Sequence, residues 1–299
     1  MTTLPLWLCC LLSALPAFLA WIIFGSRLAL LGVLVWVSYG IIITDFLPPL
    51  SRTGMDYYQM PPIPDNNQYR IITLYSDCSS ELPWDQTTKY RPDIVFIQGS
   101  ASYNHTLRFA SHVFGGKARL AQIGNCAVVV RDGQIGTGRN IADTSGIIVD
   151  WIPAEGAVPI RLISLSLDPV HYDMRYDLYS PSCWKYYKNI RLTHRRQLRN
   201  LFDTMREIVT QTGDCPTILA GNFSASPQSP IFEKFSKKYI DCFYERGSGY
   251  GATYPVENPS VRLDRVFCSP NSTATKHRTS LRYSRCFVAI KTKSILVII

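Results

Sequence analysis

ILAGNFSASPQSP, residues 218–230, begins as an apolar run (Ile218, Leu219, Ala220), stops at Gly221 and passes into small polar residues and prolines. The pattern predicts a buried strand ending in a tight polar loop. Strand ends of this kind commonly carry reactive groups, because a rigid element holds them while the loop leaves them open to substrate. Yet this stretch contains no acid, no base and no strong metal ligand. It has the outline of a catalytic loop without the chemistry.

Other short apolar runs surround it, separated by turn signals. YRIITLYS (69–76), DIVFIQG (93–99), CAVVVRD (126–132), GIIVDWI (146–152) and IRLISLSLD (160–168) read as strands. So do TILAG (217–221), RLDRVFCS (262–269) and RCFVAIKT (285–292). They are rich in Val and Ile, and some alternate with period two. The clearest helix is THRRQLRNLFDTMREIVTQTG (193–213), with Leu198, Leu201, Phe202, Met205, Ile208 and Val209 on one face. Thr193 is placed to cap its start and Gly213 to stop it. A second helix is predicted at Ser229-Pro230, an N-cap followed by proline at the first helical position. Many strands with few helices between them point to an α+β domain of two packed sheets with helices outside.

The N-terminal part is of a different kind. No charged side chain occurs from Met1 to Ser26, and the apolar content resumes from Leu28 to Thr44. A bilayer span needs about 20 apolar residues. The pattern predicts a membrane anchor over residues 1–45, a two-helix hairpin (about 4–25 and 28–45) turning at Gly25-Ser26-Arg27. A cleaved signal peptide is the rival, but its basic n-region is missing and the apolar run exceeds a usual h-region. Arg27 is the only basic residue in the turn, which favours a cytoplasmic turn and an extracytoplasmic domain. Residues 46–68, rich in proline and polar groups, read as a linker, and residues 69–299 as the folded domain.

Charge and cysteines bound the function less tightly. The net charge is +9, and the charges before residue 60 cancel, so the excess belongs to the domain. A basic domain tethered to a bilayer is suited to anionic head groups, and ordinary solubility charge explains the same balance. Of the nine cysteines, Cys9 and Cys10 lie in the anchor; the other seven are scattered, with no CxxC pair or zinc spacing. Cys126, Cys268 and Cys286 sit in apolar runs, as buried thiols do. The five histidines show no metal spacing. Lys185, Lys188, Arg191, Arg195, Arg196 and Arg199 form a basic run whose simplest reading is a solvated helix face; lipid head groups or another polyanion are the alternative.

Three stretches, taken together and in order, carry a resemblance. PDIVFIQG (92–99), LAGNFSASP (219–227) and VRLDRVFCS (261–269) are similar to the PDIVxxQE, GDFN-x-x-P and RxDYxxxS elements of the endonuclease/exonuclease/phosphatase superfamily. DCFYERGSGYGATYP (241–255) resembles the passage that precedes its RxD strand. The resemblance covers roughly residues 69–292 and implies a four-layer α/β-β/α sandwich whose site lies where strand ends of both sheets meet. Membrane-anchored members of that superfamily carry similar N-terminal spans.

The same resemblance implies that the reactive groups are replaced. The metal-binding Glu that follows Gln98 falls on Gly99, the first-strand Asn on Ser76 and the middle-strand His on Ser166. The water-activating Asp falls on Asn222, and an amide does not ionise as a carboxylate does. The phosphate-contacting Asn falls on Ser224, and the terminal Ser-Asp-His on Ser284-Arg285-Cys286. Asp264 survives without the His it would orient. The reading is therefore a membrane-bound, extracytoplasmic module that is catalytically inactive and needs no cofactor. A phosphate or other anion could be held by Arg285 with Asn222, Ser224 and Ser76, or Arg285 could pair with Asp264. The alternatives are a phosphodiesterase using Mg²⁺ or Mn²⁺ on displaced ligands, and a basic nucleic-acid or anionic-lipid binder. The nucleic-acid reading requires a cytoplasmic domain. No protein partner is indicated.

Overall fold

The computed structural model describes residues 6–43, 69–76, 82–99, 102–169, 181–225, 229–246, 253, 262–270, 287–290 and 295–298. The expected linker, Ser284, Arg285 and Cys286 lie outside the described residues.

Helices α1 (Leu6–Phe24) and α2 (Arg27–Ile43) form the N-terminal hairpin. Gly25 turns the chain at φ +60, where no Cβ has to be accommodated, and Gly32 would place a Cβ 3.6 Å from that of Ala17, so the helices meet through small residues. Side chains of this hairpin are described from Ala14 to Ser38, and among the described residues no helix is long and apolar enough to cross a membrane. The two expected spans therefore find no support in the described part of the hairpin.

The first sheet contains β1 (Ile71–Tyr75), β2 (Ile94–Gln98), β3 (Arg119–Ile123), β4 (Cys126–Val130), β12 (Phe287–Ile290) and β13 (Ile295–Ile298), in the order β12-β13-β1-β2-β4-β3. The second contains β5 (Gln134–Ile135), β6 (Arg139–Asn140), β7 (Ser145–Ile152), β8 (Ile160–Ser166), β9 (Thr217–Asn222), β10 (Ile240–Asp241) and β11 (Asp264–Cys268). Its order is β10-β11-β9-β8-β7-β5, with β6 also on β7. β1 runs parallel to β2, and β8 parallel to β9; the other pairs are antiparallel.

The strands are apolar on both faces because both faces are covered. Ile71, Ile94, Phe96, Val128 and Val130 pack against Val149, Trp151, Leu162, Ala220 and Val266 between the sheets. The alternate residues of the first sheet (Ile72, Leu74, Val95, Ile97) pack outward on Phe109 and Ala110 of α4 (Tyr103–Phe114), which follows the short α3 (Trp84–Lys89). Those of the second (Ile163, Leu165, Leu219, Phe267) pack on Leu198, Leu201, Met205 and Ile208 of α5 (Pro181–Thr212). The result is the expected four-layer α+β arrangement.

Several expectations need correction. The long helix begins at Pro181, so Thr193 lies inside it and caps nothing. The Lys- and Arg-rich run is itself made of good helix formers, and proline is tolerated at the first position. At Ser229-Pro230 the chain makes one 3₁₀ turn, Pro230–Phe232, before α6 (Glu233–Lys238); the short α7 (Cys242–Arg246) follows β10. β13, β3 and α4 are elements that the sequence pattern does not announce.

Candidate functional site

The parallel pairs fix where the site must lie. Within each sheet a parallel pair, β1 with β2 and β8 with β9, brings two C-terminal strand ends together, and the contact of Gln98 with Ser164 puts both pairs of ends at one end of the sandwich. Gln98, the last residue of β2, points between the sheets and is fully buried. Its amide donates to Ser164 Oγ at 3.0 Å, and its oxygen accepts from Thr73 Oγ1 at 3.1 Å. Ser164 in turn donates to the Ile97 carbonyl at 3.2 Å. This bridge ties the two sheets just behind the strand ends. Such networks hold one unique packing, because any broken member is left buried without water.

Beyond the bridge, Ser166, Asn222 and Asp264 form a row across the second sheet. Ser166 pairs with Asn222 between β8 and β9, and Asn222 pairs with Asp264 between β9 and β11. These are three of the positions picked out by the sequence, and the fold brings them side by side. Ser224 and Ser76 lie just beyond the ends of β9 and β1, both buried.

Asn222 is committed to shaping the loop. Its Oδ1 accepts from the backbone N–H of Ser224 and from Ser224 Oγ, both at 2.8 Å. The backbone donor fixes which side-chain atom is the oxygen, so the NH₂ is left to face Asp264. Ser224 sits at φ +45, a left-handed conformation that a non-glycine residue adopts when local bonds hold it there. The loop keeps its form through this Asn-Ser turn.

Asp264 is the one acidic residue of the row. Both carboxylate oxygens are buried, and neither has a hydrogen-bond partner among the described residues. Burial pushes its carboxyl up to about 7, and the nearby Thr253 hydroxyl and Asn222 amide offset only part of that. Thr253 Oγ1 accepts from the backbone N–H groups of Leu263 and Asp264 at 3.0 and 3.2 Å, which holds the chain entering β11.

At the end of β2 the backbone excludes a side chain. Gly99 is buried at φ +77, and a Cβ there would lie 1.8 Å from the Ser76 carbonyl oxygen. Ser76 N–H donates to the Gln98 carbonyl at 2.9 Å, so the two strand ends are closed on each other. Gly221 makes a similar approach, its notional Cβ falling 1.8 Å from the Leu165 carbonyl oxygen.

A divalent cation, which the resemblance implies, does not fit these residues. Mg²⁺ wants hard oxygen ligands, usually including one or two carboxylates with room for several waters. Here the position of the ligand Glu has no space for a Cβ, Asn222 presents NH₂ rather than oxygen, and Asp264 is sealed. Among the described residues no three His, Cys, Asp or Glu side chains gather as metal ligands. Cys126 lies at the same end, but burial pushes its thiol up to about 12, which makes it a poor nucleophile. His194 is buried, its Nε2 lying 2.8 Å from the Asp168 carbonyl oxygen, and burial lowers its pKa. It is a hydrogen-bonded packing residue of α5.

Thr73, Gln98, Ser164 and Thr253 belong to the site without standing out in the sequence. Their one signal is parity: 73, 98 and 164 are polar residues at inward-facing positions of otherwise apolar strands. Arg285 and Cys286 fall outside the described residues.

No family model matches the sequence, and no curated protein matches it. Solved structures do resemble it. A humanized Danio rerio TDP2 bearing 14 mutations aligns at a TM-score of 0.51 and 13% identity, covering 77% of this chain and 98% of that one. An endonuclease/exonuclease/phosphatase family protein from Bacteroides thetaiotaomicron aligns at 0.49 and 11% identity, covering 67% and 82%. The human Nocturnin catalytic domain with bound sulfate anion aligns at 0.48 and 13%, covering 77% and 93%. At these identities the likeness is one of fold.

Proposed function

We propose that this chain, whose fold resembles that of TDP2, is a membrane-anchored, catalytically silent form of the endonuclease/exonuclease/phosphatase fold, acting as an interaction module at the bilayer surface. The observation that carries the silence is Gly99. The strand end that would bring a metal-binding carboxylate instead closes on Ser76, leaving no room for any side chain. Asn222 and Asp264 support the same reading, one as a loop-shaping amide and the other as a sealed acid.

The anchor rests on the hairpin as a whole. α1 is 19 residues long, which at about 1.5 Å per residue is close to the roughly 30 Å hydrocarbon thickness. Its sequence is apolar throughout, including the stretch before Ala14. The described side chains do not sort into a buried and a polar face: Ile23 is 68%, Phe24 78% and Leu28 82% exposed. A helix that is apolar all round belongs in a core or in a bilayer. On α5, Lys185, Lys188, Leu192, Arg195 and Arg199 recur at helical spacing and are all exposed, a stripe suited to anionic head groups.

Membranes from cells making the full chain test both parts together. The chain should stay with the membranes through a high-salt wash and through alkaline carbonate. These membranes should hydrolyse bis(4-nitrophenyl) phosphate no faster than membranes lacking the chain, with Mn²⁺ or with chelator. Release by salt would mean that the basic stripe alone holds it, and release by carbonate would remove the anchor. Chelator-sensitive hydrolysis would restore the phosphodiesterase reading with displaced ligands.

A further inference from the structure

Cys242 opens α7 and Cys268 ends β11, and both are buried in the core between the sheets. Both are thiols in the structure, with sulfurs only 2.9 Å apart. The backbone independently puts them together. Ile240 pairs directly with Cys268 across β10 and β11, and Cys242 comes directly after the end of β10, as the first residue of α7, so the two backbones lie close together. A bonded sulfur pair is about 2.05 Å apart, so closure asks for a shift of less than about one ångström.

We propose that Cys242 and Cys268 are a disulfide-forming pair, oxidised when the domain folds in the presence of a disulfide donor. One thiolate attacks a sulfur of the donor disulfide, giving a mixed disulfide and releasing one donor thiol. The second thiolate then attacks the Cys242 or Cys268 sulfur of that mixed bond, forming the internal S–S bond and releasing the second donor thiol. The two protons given up by the cysteine thiols are taken up by the two departing donor sulfurs, and the two electrons reduce the donor. Burial of both sulfurs places the reaction before β11 docks, and protects the bond afterwards. The bond would close the 26-residue separation that contains Thr253 and Asp264, fastening the acidic side of the site to the second sheet. It does not depend on the anchor or on catalytic silence. In cells the bond would also report the compartment, since such bonds persist outside the cytosol.

The full chain, refolded in detergent with oxidised and reduced glutathione, then denatured and alkylated with N-ethylmaleimide, decides this by peptide mapping. The expected product is one linked pair of peptides containing Cys242 and Cys268, lighter than the two thiol peptides by two hydrogens and absent after dithiothreitol. The melting temperature should fall by roughly 5–10 °C on reduction, and reduction should leave a Cys268→Ser variant unmoved. Full alkylation of both cysteines after refolding, or linkage of either to a different cysteine, would overturn the assignment.

Discussion

Gly99→Glu, which places a carboxylate where the resemblance implies a metal ligand, lowers the stability of the folded chain by about 5 kcal/mol and confers no metal binding. Two costs combine. A non-glycine residue held at φ +77 costs of order 1–3 kcal/mol. The Cβ also meets the Ser76 carbonyl oxygen at 1.8 Å, so the joined ends of β1 and β2 must separate. The carboxylate would then enter a buried position beside the Thr73–Gln98–Ser164 bridge, where an unpaired charge costs several kcal/mol more. Gly99→Ala isolates the backbone part and should lose about 2 kcal/mol. Denaturant unfolding of the full chain in mild detergent measures both. A Gly99→Glu protein of wild-type stability that takes up Mn²⁺ would show that this strand end opens readily, and the closed strand end would no longer explain catalytic silence.

Asp264 makes the folded chain less stable as pH rises from about 4 to about 7. Its folded-state carboxyl titrates near 7 rather than at the ordinary 3.8, because burial disfavours the charged form. Between these values the folded state holds a proton that the unfolded state has lost. Stability therefore falls with rising pH across that window, and is fully present only below the unfolded pKa. About three pKa units correspond to a loss of order 4 kcal/mol. Asp264→Asn removes the titration. The variant should match the wild type near pH 4 and exceed it at about pH 8 by a few kcal/mol, as read by denaturant unfolding at both pH values. If the variant is instead weaker at the higher pH, the carboxylate is ionised and paired with a cation, and Arg285 is the sequence's candidate.

The neighbouring acid shows what pairing does. Asp241 is partly buried, its side chain 14% exposed, and Arg262 meets its oxygens at 2.9 Å through two nitrogens while Arg265 approaches at 3.2 Å. Burial raises its pKa, but the two guanidinium groups more than offset that, and the net shift is downward. Two carboxylates near the same strand thus shift in opposite directions, the paired one down and the sealed, unpaired one up.

Much of the fold is legible in the sequence because its strands are buried on both faces. Continuous Val- and Ile-rich runs such as Ile94–Gln98 and Cys126–Val130 announce themselves. α4 does not: Tyr103–Phe114 is rich in His, Asn, Ser and Thr, and only Thr106, Phe109 and Ala110 are buried. β13 is a four-residue pairing that local sequence cannot distinguish from any short apolar tail. The start of α5 is hidden because Thr193 imitates a cap inside a stretch that is already helical.

The site divides in the same way. The row Ser166, Asn222 and Asp264 can be read from aligned strand ends, since register carries each residue to its neighbour. The role of Gly99 cannot. The sequence shows a missing ligand; the backbone shows that the space for one has closed, through a long-range approach of β1 to β2. Nor can the sequence show that Asn222 turns its oxygen toward Ser224, which depends on the conformation of the loop rather than on its composition.

The most direct test of catalytic silence is calorimetric titration of Mn²⁺, then Mg²⁺, into the full chain in mild detergent at neutral pH. A closed strand end and a sealed Asp264 predict heats of dilution alone, unchanged by Asp264→Asn. A saturable, stoichiometric binding heat that Asp264→Asn removes would contradict catalytic silence, because the buried acid would then be a metal ligand and the hydrolytic reading would stand.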